Sequence, residues 1–197
     1  MEQIINKIDR EEIIRELTEE CLLRESNKGG NRIYVIDAHH QPQTMREIGR
    51  LRELAFRDGG GGTGKACDID DFDTMERPCR QLIVWDPVDR EIIGGYRFLL
   101  GEEMHREPDG TPRIATAHMF RFSRQFLDYY LPKTLELGRS FVAPYYQSTR
   151  TKPKAIYALD NLWDGLGALT VKYPQIEYLF GKVTMYPEYS RECRDLL

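Results

Sequence analysis

The chain lacks any run near the ~20 consecutive apolar residues that span a bilayer, and no secretory leader opens it. It also lacks a basic excess: 28 lysines and arginines stand against 32 acidic residues, a formal net charge of -4. That argues against a general nucleic-acid binder, which carries a basic stripe. The four cysteines, Cys21, Cys67, Cys79 and Cys193, form no C-x-x-C pair. They point to free thiols in a reducing cytoplasm rather than to zinc or disulfides. His39, His40 and His118 have no partners at ligand spacing, so no metal is assigned. The alternating strand repeat of a membrane pore is missing as well.

Two stretches fall short of motifs they approach. Gly59-Gly60-Gly61-Gly62-Thr63-Gly64 follows no strand, so it is no dinucleotide fingerprint. It reads as a flexible connector or as a lid over a site. Asp68-Ile69-Asp70-Asp71-Phe72-Asp73 has Asp at the sixth position, where an EF-hand loop needs Gly. It reads as a solvated acidic loop, or as carboxylates receiving a cation such as Arg52 or a substrate ammonium. Asp70 and Asp73, with Phe72 between them as an anchor, are the expected pair.

What is present fits a globular domain: 41% apolar and 30% charged residues, over a length that can bury a core. Ile4, Ile5, Ile8, Ile13, Ile14, Leu17 and Cys21 recur at helical spacing. They predict one amphipathic helix over about 2–25, stopped by Gly29-Gly30, and so an N-terminal element (1–30) before the main domain (31–197). That helix packs on the domain or a partner, or sits at a membrane or beside an acyl chain. Strands are predicted at 32–36, 80–85, 91–100, 135–142 and 177–186, the second and third as an antiparallel hairpin around Asp86-Pro87. Helices are predicted over 44–56, 120–130 and 156–171, with a last one opening at Pro187. A sequence stopping inside that last helix leads us to expect a further C-terminal part.

Glu136-Leu137-Gly138-Arg139-Ser140-Phe141-Val142 concentrates the chemistry. It is strand-forming, yet it holds a Glu and an Arg three apart, around a Gly that lets a backbone or ligand approach. Arg97 interrupts the apolar strand 91–100 in the same way. Charges in core strands are paired or used, because stranding them in a low dielectric costs several kcal/mol. Glu136 and Arg139 therefore read as catalytic groups, or as members of a network with Arg97, Asp70 and Asp73. Arg52 and Phe56, four apart, share one face of the helix over 44–56. After the strand, the loop from Tyr145 to Lys154 carries Arg150, Lys152 and Lys154 and no acid. A helix N-terminus behind a basic loop is an anion site, which points to a phosphate-bearing ligand.

This order of strands, loop and helix resembles the Gcn5-related N-acyltransferase (GNAT) fold. The resemblance implies an α/β (α+β) architecture, a mixed, mostly antiparallel central sheet flanked by helices. Arg52-x-x-x-Phe56, Asp70-x-x-Asp73, Gly95-x-Arg97 and Glu136-x-x-Arg139-x-Phe141 resemble the spaced pattern of acyl-homoserine-lactone synthases. The tryptophan expected soon after the first phenylalanine is absent, and the glycine run stands in its place. The phrases Arg-Glu-Leu-Ala-Phe-Arg (52–57), Glu-Leu-Gly-Arg-Ser-Phe-Val (136–142) and Leu-Asp-Asn-Leu-Trp-Asp-Gly-Leu (159–166) are closer to the hemolysin-like N-acyltransferases. Those make ornithine- or glycine-containing aminolipids, and the similarity covers about residues 32–190.

The resemblance implies transfer of a 3-hydroxyacyl chain from acyl carrier protein to the amine of a small amino acid. Acyl-coenzyme A is a second donor, and no tightly bound cofactor is implied. The setting implied is the cytoplasm, with peripheral association at the inner membrane as an option. Glu136 is then the base. Arg139, Phe141 and Val142 complete the catalytic strand, whose bulge near Phe141-Val142 supplies an oxyanion N–H. Arg52, Phe56, Asp70, Asp73 and Arg97 bind the acceptor, while Ser148, Arg150, Lys152 and Lys154 take the donor's phosphopantetheine phosphate. An acidic carrier protein docks on Arg121, Arg124, Lys133 and the loop cations. Competing readings are a signal synthase using S-adenosylmethionine, acetyl transfer from coenzyme A, and a non-catalytic acyl-carrier-binding module. The usual Arg/Gln-x-x-Gly-x-Gly/Ala loop of coenzyme A enzymes does not follow the strand 135–142.

Overall fold

Six strands hydrogen-bond in chain order: β1 (Leu22–Glu25), β2 (Arg32–Ile36), β3 (Arg80–Asp86), β4 (Glu91–Leu100), β5 (Thr134–Val142) and β6 (Tyr178–Gly181). The computed structural model describes residues 1–148, 153–182 and 190–195, without the side chains of 153, 154, 193 and 194. Strands β1 to β5 run antiparallel to their neighbours, and β6 joins β5 in parallel. Among the described residues five α-helices accompany the sheet: α1 (Arg10–Glu16), α2 (Pro42–Asp58), α3 (Asp71–Thr74), α4 (Ala158–Lys172) and α5 (Arg191–Arg194). Helix α4 is the crossover that a parallel β5–β6 pair requires.

Alternation along β3 divides the two sheet faces. Gln81 points to the face covered by α2, where Arg52 donates to its side-chain oxygen. Leu82, on the opposite face, meets α4 so closely that a methyl group on Gly165 would lie 2.8 Å from its Cδ atoms. Ile48 and Leu51 of α2, and Leu162, Leu166 and Leu169 of α4, join Ile33, Leu82, Ile83, Val84 and Leu135 in one core. Turning Gly165 toward the sheet leaves Ile156, Leu159 and Trp163 exposed, although their spacing helped to predict this helix. Among the described residues, no helix is long and apolar enough to cross a membrane.

The largest departure from the sequence-based expectation is N-terminal. In place of one helix over 2–25, residues 1–9 run without helix, α1 occupies only Arg10–Glu16, and Leu22–Glu25 forms β1. Glu2 N–H donates to Gly64 carbonyl at 2.8 Å and Ile5 N–H to Ala66 carbonyl at 3.0 Å, so this segment is spoken for by tertiary contacts. Glu16 caps α2 instead of continuing its own helix, accepting from Gln43 N–H at 2.9 Å and Thr44 N–H at 2.6 Å. Local propensity yields here to these partners and to hairpin pairing with β2.

The glycine run departs too, being held rather than loose. Buried Glu53 accepts from Thr63 N–H at 3.0 Å, Thr63 hydroxyl at 2.6 Å and Gly64 N–H at 2.8 Å. The helix expected over 120–130 is shorter, ending in a π-helical turn over Phe126–Tyr130. Of the strand expected at 177–186, Tyr178–Gly181 is strand and 183–186 fall outside the described residues; of the last helix expected to open at Pro187, 187–189 also fall outside them and Arg191–Arg194 is helical.

Candidate active site

Three apolar strands each place one charge or amide on the α2 face: Gln81 on β3, Arg97 on β4 and Glu136 on β5. The register sets Gln81 opposite Arg97 and Arg97 opposite Gly138. From Arg97↔Gly138 to Gly95↔Phe141, β4 advances two residues and β5 advances three. The extra residue is a β-bulge, and Arg139 in it adopts φ 48, a left-handed conformation rare outside glycine. The bulge thus lies at Arg139-Ser140, immediately before Phe141-Val142 rather than at them. Those two pair regularly with Gly95 and Gly94 and pack in the core, because register against β4 decides where the extra residue goes.

Beside the bulge is a cavity of about 310 Å³ whose lining includes Asp70, Phe72, Arg97, Thr116, Glu136 and Arg139. Its charged wall is an alternating arginine–aspartate cluster. Fully buried Arg52 lies 3.2 Å from Asp73, and Arg97 lies 2.6 Å from Asp70 and 3.3 Å from Asp73. Arg139 lies 3.2 Å from Asp70 and 3.0 Å from Asp68, the latter without the angle of a hydrogen bond. Gln81 ties the cluster together, donating to Asp73 at 3.0 Å while accepting from Arg52. Three arginines face three aspartates.

Short helix α3 delivers two of those aspartates. Asp70 is its N-cap, accepting from Phe72 N–H at 3.0 Å, and Asp73 reaches back to Asp70 N–H at 3.1 Å. This capping box fixes both carboxylates toward the sheet. Burial works against ionised Asp70, but the hydrogen bond and charge of Arg97, with Arg139 and Arg52, hold its carboxyl below the usual range. Asp68 differs: burial pushes it up, and Arg139 and Arg52 oppose that only in part. Burial likewise lowers the Arg52 pKa against the pull of Asp73.

Glu136 stands outside this charge balance. It is 6% exposed, opens on the cavity and makes no ion pair among the described residues. Its Oε1 accepts from Thr116 hydroxyl at 2.9 Å and Thr116 N–H at 3.3 Å. Burial pushes its carboxyl above the ordinary glutamate value, with the Thr116 donors and the charge of Arg97 pulling back only partly. A carboxyl raised in this way and open to a cavity is suited to taking a proton from a bound group. Gly138, two residues on, would have nothing within 4 Å of an added methyl group, so the strand is bare toward the cavity there.

The structure therefore gathers Asp70, Asp73, Arg97, Glu136, Arg139 and Arg52 into one neighbourhood. Asp73 and Arg52 lie behind the wall, fully buried. Half-buried Phe56 packs on the core and does not line the cavity, and neither do Phe141, Val142 and Ser148. Ser148 follows a 3₁₀ turn over Pro144–Tyr146. Arg150 and Lys152 fall outside the described residues; the Lys154 backbone lies in the 3₁₀ turn Pro153–Tyr157 leading into α4, and its side chain is not described. Lys133, expected on a docking face, pairs with Glu177 at 2.8 Å. Sequence reasoning passed over Asp68, Gln81 and Thr116 as site members.

Comparison with known proteins shows the family. Residues 51–155 match a family model described as acetyltransferase (GNAT) domain. The chain is 57% identical over its full 197 residues to a glycine N(alpha)-acyltransferase of Bacteroides thetaiotaomicron, covering 58% of that protein. It is 58% identical over its full length to a glycine N(alpha)-acyltransferase of Phocaeicola vulgatus, covering 60% of it. An L-ornithine N(alpha)-acyltransferase of Brucella abortus is 31% identical over 119 residues, 58% of this chain and 37% of that protein. The chain thus spans about three fifths of the length of the two glycine-named relatives.

Proposed function

Because this chain belongs to the GNAT acetyltransferase family, we propose that it is an N-acyltransferase that acylates the amine of glycine. The donor in this reading is a 3-hydroxy fatty acyl thioester on acyl carrier protein, and the product feeds aminolipid synthesis. The names of the relatives at 57% and 58% identity favour glycine over ornithine as acceptor. The observation that carries the reading is Glu136, a buried carboxylate with a raised pKa that faces the cavity beside a charge-balanced cluster.

In the reaction, the glycine nitrogen attacks the thioester carbonyl and a C–N bond forms. The proton leaving nitrogen passes to Glu136. Charge developing on the carbonyl oxygen is met by backbone N–H groups at the β5 bulge, the role of an oxyanion hole. Collapse breaks the C–S bond, and the departing thiolate takes the proton held by Glu136, which returns to its carboxylate form. Arg139, 29% exposed by side chain at the cavity, receives the glycine carboxylate, while Asp70 and Asp68 hold its guanidinium in place. Ser148 and the cations at 150–154 take the donor phosphate, on an enzyme working in the cytoplasm or peripherally at the inner membrane.

A thiol-release assay tests this with 3-hydroxyacyl carrier protein, and in parallel 3-hydroxyacyl-coenzyme A, across glycine, ornithine, serine, homoserine lactone and S-adenosylmethionine. Thiol release dependent on glycine, with N-acylglycine identified by mass, is the expected result. No acylated amine with any acceptor and either donor contradicts the reading.

A further inference from the structure

An aromatic cluster borders the cavity and takes no part in the chemistry above. Pairing of β4, β5 and β6 sets Leu99 opposite Glu136 and Glu136 opposite Phe180, so these three form one row across the same sheet face. On the far side of that row, Phe122 and Phe126 stack with centroids 4.9 Å apart. Phe180 meets Phe126 edge-on at 5.6 Å, Phe120 at 6.0 Å and Phe122 at 6.1 Å. Beneath the rings, Cys79, Leu99 and Ile114 form a second small core with Phe72, Phe122 and Phe180 packed against it. Phe72, Cys79 and Leu99 also line the cavity, so the small core that carries Phe122 and Phe180 is shared with the cavity wall.

The outer part of this cluster is open: Met119 is 49% and Phe120 47% exposed. Adjoining exposed aromatic and thioether surface of this kind marks a place where apolar material binds. We infer that the Phe120/Phe122/Phe126/Phe180 cluster is the groove for the donor's acyl chain, and that these rings set the accepted chain length. The inference rests on the acyl-transfer reading of the Glu136 cavity and adds the location of the chain. Geometry selects the occupant. A chain attached to the thioester carbon beside Glu136 has two ways to leave. One runs along Asp70, Arg97 and Arg139, where it would desolvate charges. The other runs along Leu99, Phe180 and the rings, where each methylene buried raises affinity roughly fourfold.

The test compares kcat/KM for donors with acyl chains from four to sixteen carbons in wild-type protein, Phe122→Ala, Phe126→Ala and Phe180→Trp, each first checked by circular dichroism. Filling the groove with Phe180→Trp should lower the ratio of long-chain to short-chain kcat/KM at least tenfold. The alanine variants should flatten the rise with chain length. Ratios equal to wild type in all three folded variants overturn the inference, as does an equal loss at every length. Should the wild type prove inactive with every donor, the acyl-transfer reading falls, and binding of cis-parinaric acid then decides the groove independently. Fluorescence enhancement with wild type, weakened at least tenfold by Phe180→Trp and Phe122→Ala, supports it. Absent or unchanged binding overturns it.

Discussion

Thr116 and Glu136 are joined by two hydrogen bonds that end on one oxygen. The Thr116 hydroxyl, at 2.9 Å, and its N–H, at 3.3 Å, both donate to Glu136 Oε1, and neither reaches Oε2. A donor to the ionised form lowers a carboxyl pKa, so Thr116 opposes the upward push of burial while fixing the direction of the side chain. Thr116 is therefore a positioning residue in the proposed mechanism.

Thr116→Val keeps the size of the side chain and removes the hydroxyl. The acid limb of the kcat/KM–pH profile, where Glu136 must lose its proton to act, should move to higher pH, with kcat falling about tenfold. Thr116→Ser should restore both. A Thr116→Val enzyme with an unmoved limb and normal kcat would remove Thr116 from the mechanism.

Glu136→Gln separates chemistry from scaffolding. A glutamate whose folded-state pKa lies above its unfolded value loses stability as pH rises from the unfolded pKa through the folded one. Replacing it by the isosteric amide should therefore leave the urea midpoint at pH 7 unchanged or higher. Turnover should drop about 10²- to 10⁴-fold. An unfolded variant that keeps the specific activity of its folded fraction would make Glu136 scaffold.

Asp73→Asn probes the other half of the site. Asp73 and Arg52 are both fully buried, and Arg97 also leans on Asp73. Removing that charge leaves a buried guanidinium uncompensated and weakens the α3 capping box, so the expected loss is about 3–5 kcal/mol in urea unfolding. Asp70 carries a pH consequence with the opposite sign to Glu136. Its depressed folded pKa contributes stability above the unfolded value that is lost as pH falls through the folded one. Asp70→Asn should flatten the acid side of the stability–pH curve, which urea midpoints taken downward from about pH 5, through and below the unfolded aspartate pKa of about 3.9, would show.

The division between what could and could not be foreseen follows from the range of the forces involved. Arg97, Glu136 and Arg139 were visible because a charge inside an apolar strand breaks its pattern, and Asp70 and Asp73 because Phe72 between them suits a buried anchor. Strands β2 to β5 follow from runs of strand-forming residues bounded by turn signals. The N-terminal segment misled because its spacing suits a helix, while its partners, Gly64, Ala66 and Glu47, lie 39 or more positions away in the chain. The bulge position depends on register against β4, which no single strand encodes. Thr116 lies in an aperiodic loop, and Asp68 and Gln81 look solvated until α2 covers them.

Arg139 separates backbone from side chain at that bulge. With φ 48 it adopts a conformation that glycine accepts freely and a β-branched residue resists. Both variants lose the pairing with Asp68 and Asp70; Arg139→Gly should still fold and raise the KM for glycine, whereas Arg139→Val should be at least about 1–2 kcal/mol less stable than Arg139→Gly. Equal KM values for wild type and Arg139→Gly would free Arg139 from acceptor binding.

The central claim is that Glu136 accepts the proton of the attacking amine, and the most direct measurement is single-turnover thiol release with glycine in saturating excess, followed from pH 5 to 9. The account predicts a wild-type rate that rises through an apparent pKa above the ordinary glutamate value, and a Glu136→Gln rate about 10²-fold or more lower with that limb gone. A Glu136→Gln enzyme that releases thiol at the wild-type rate with the same pH profile would contradict it.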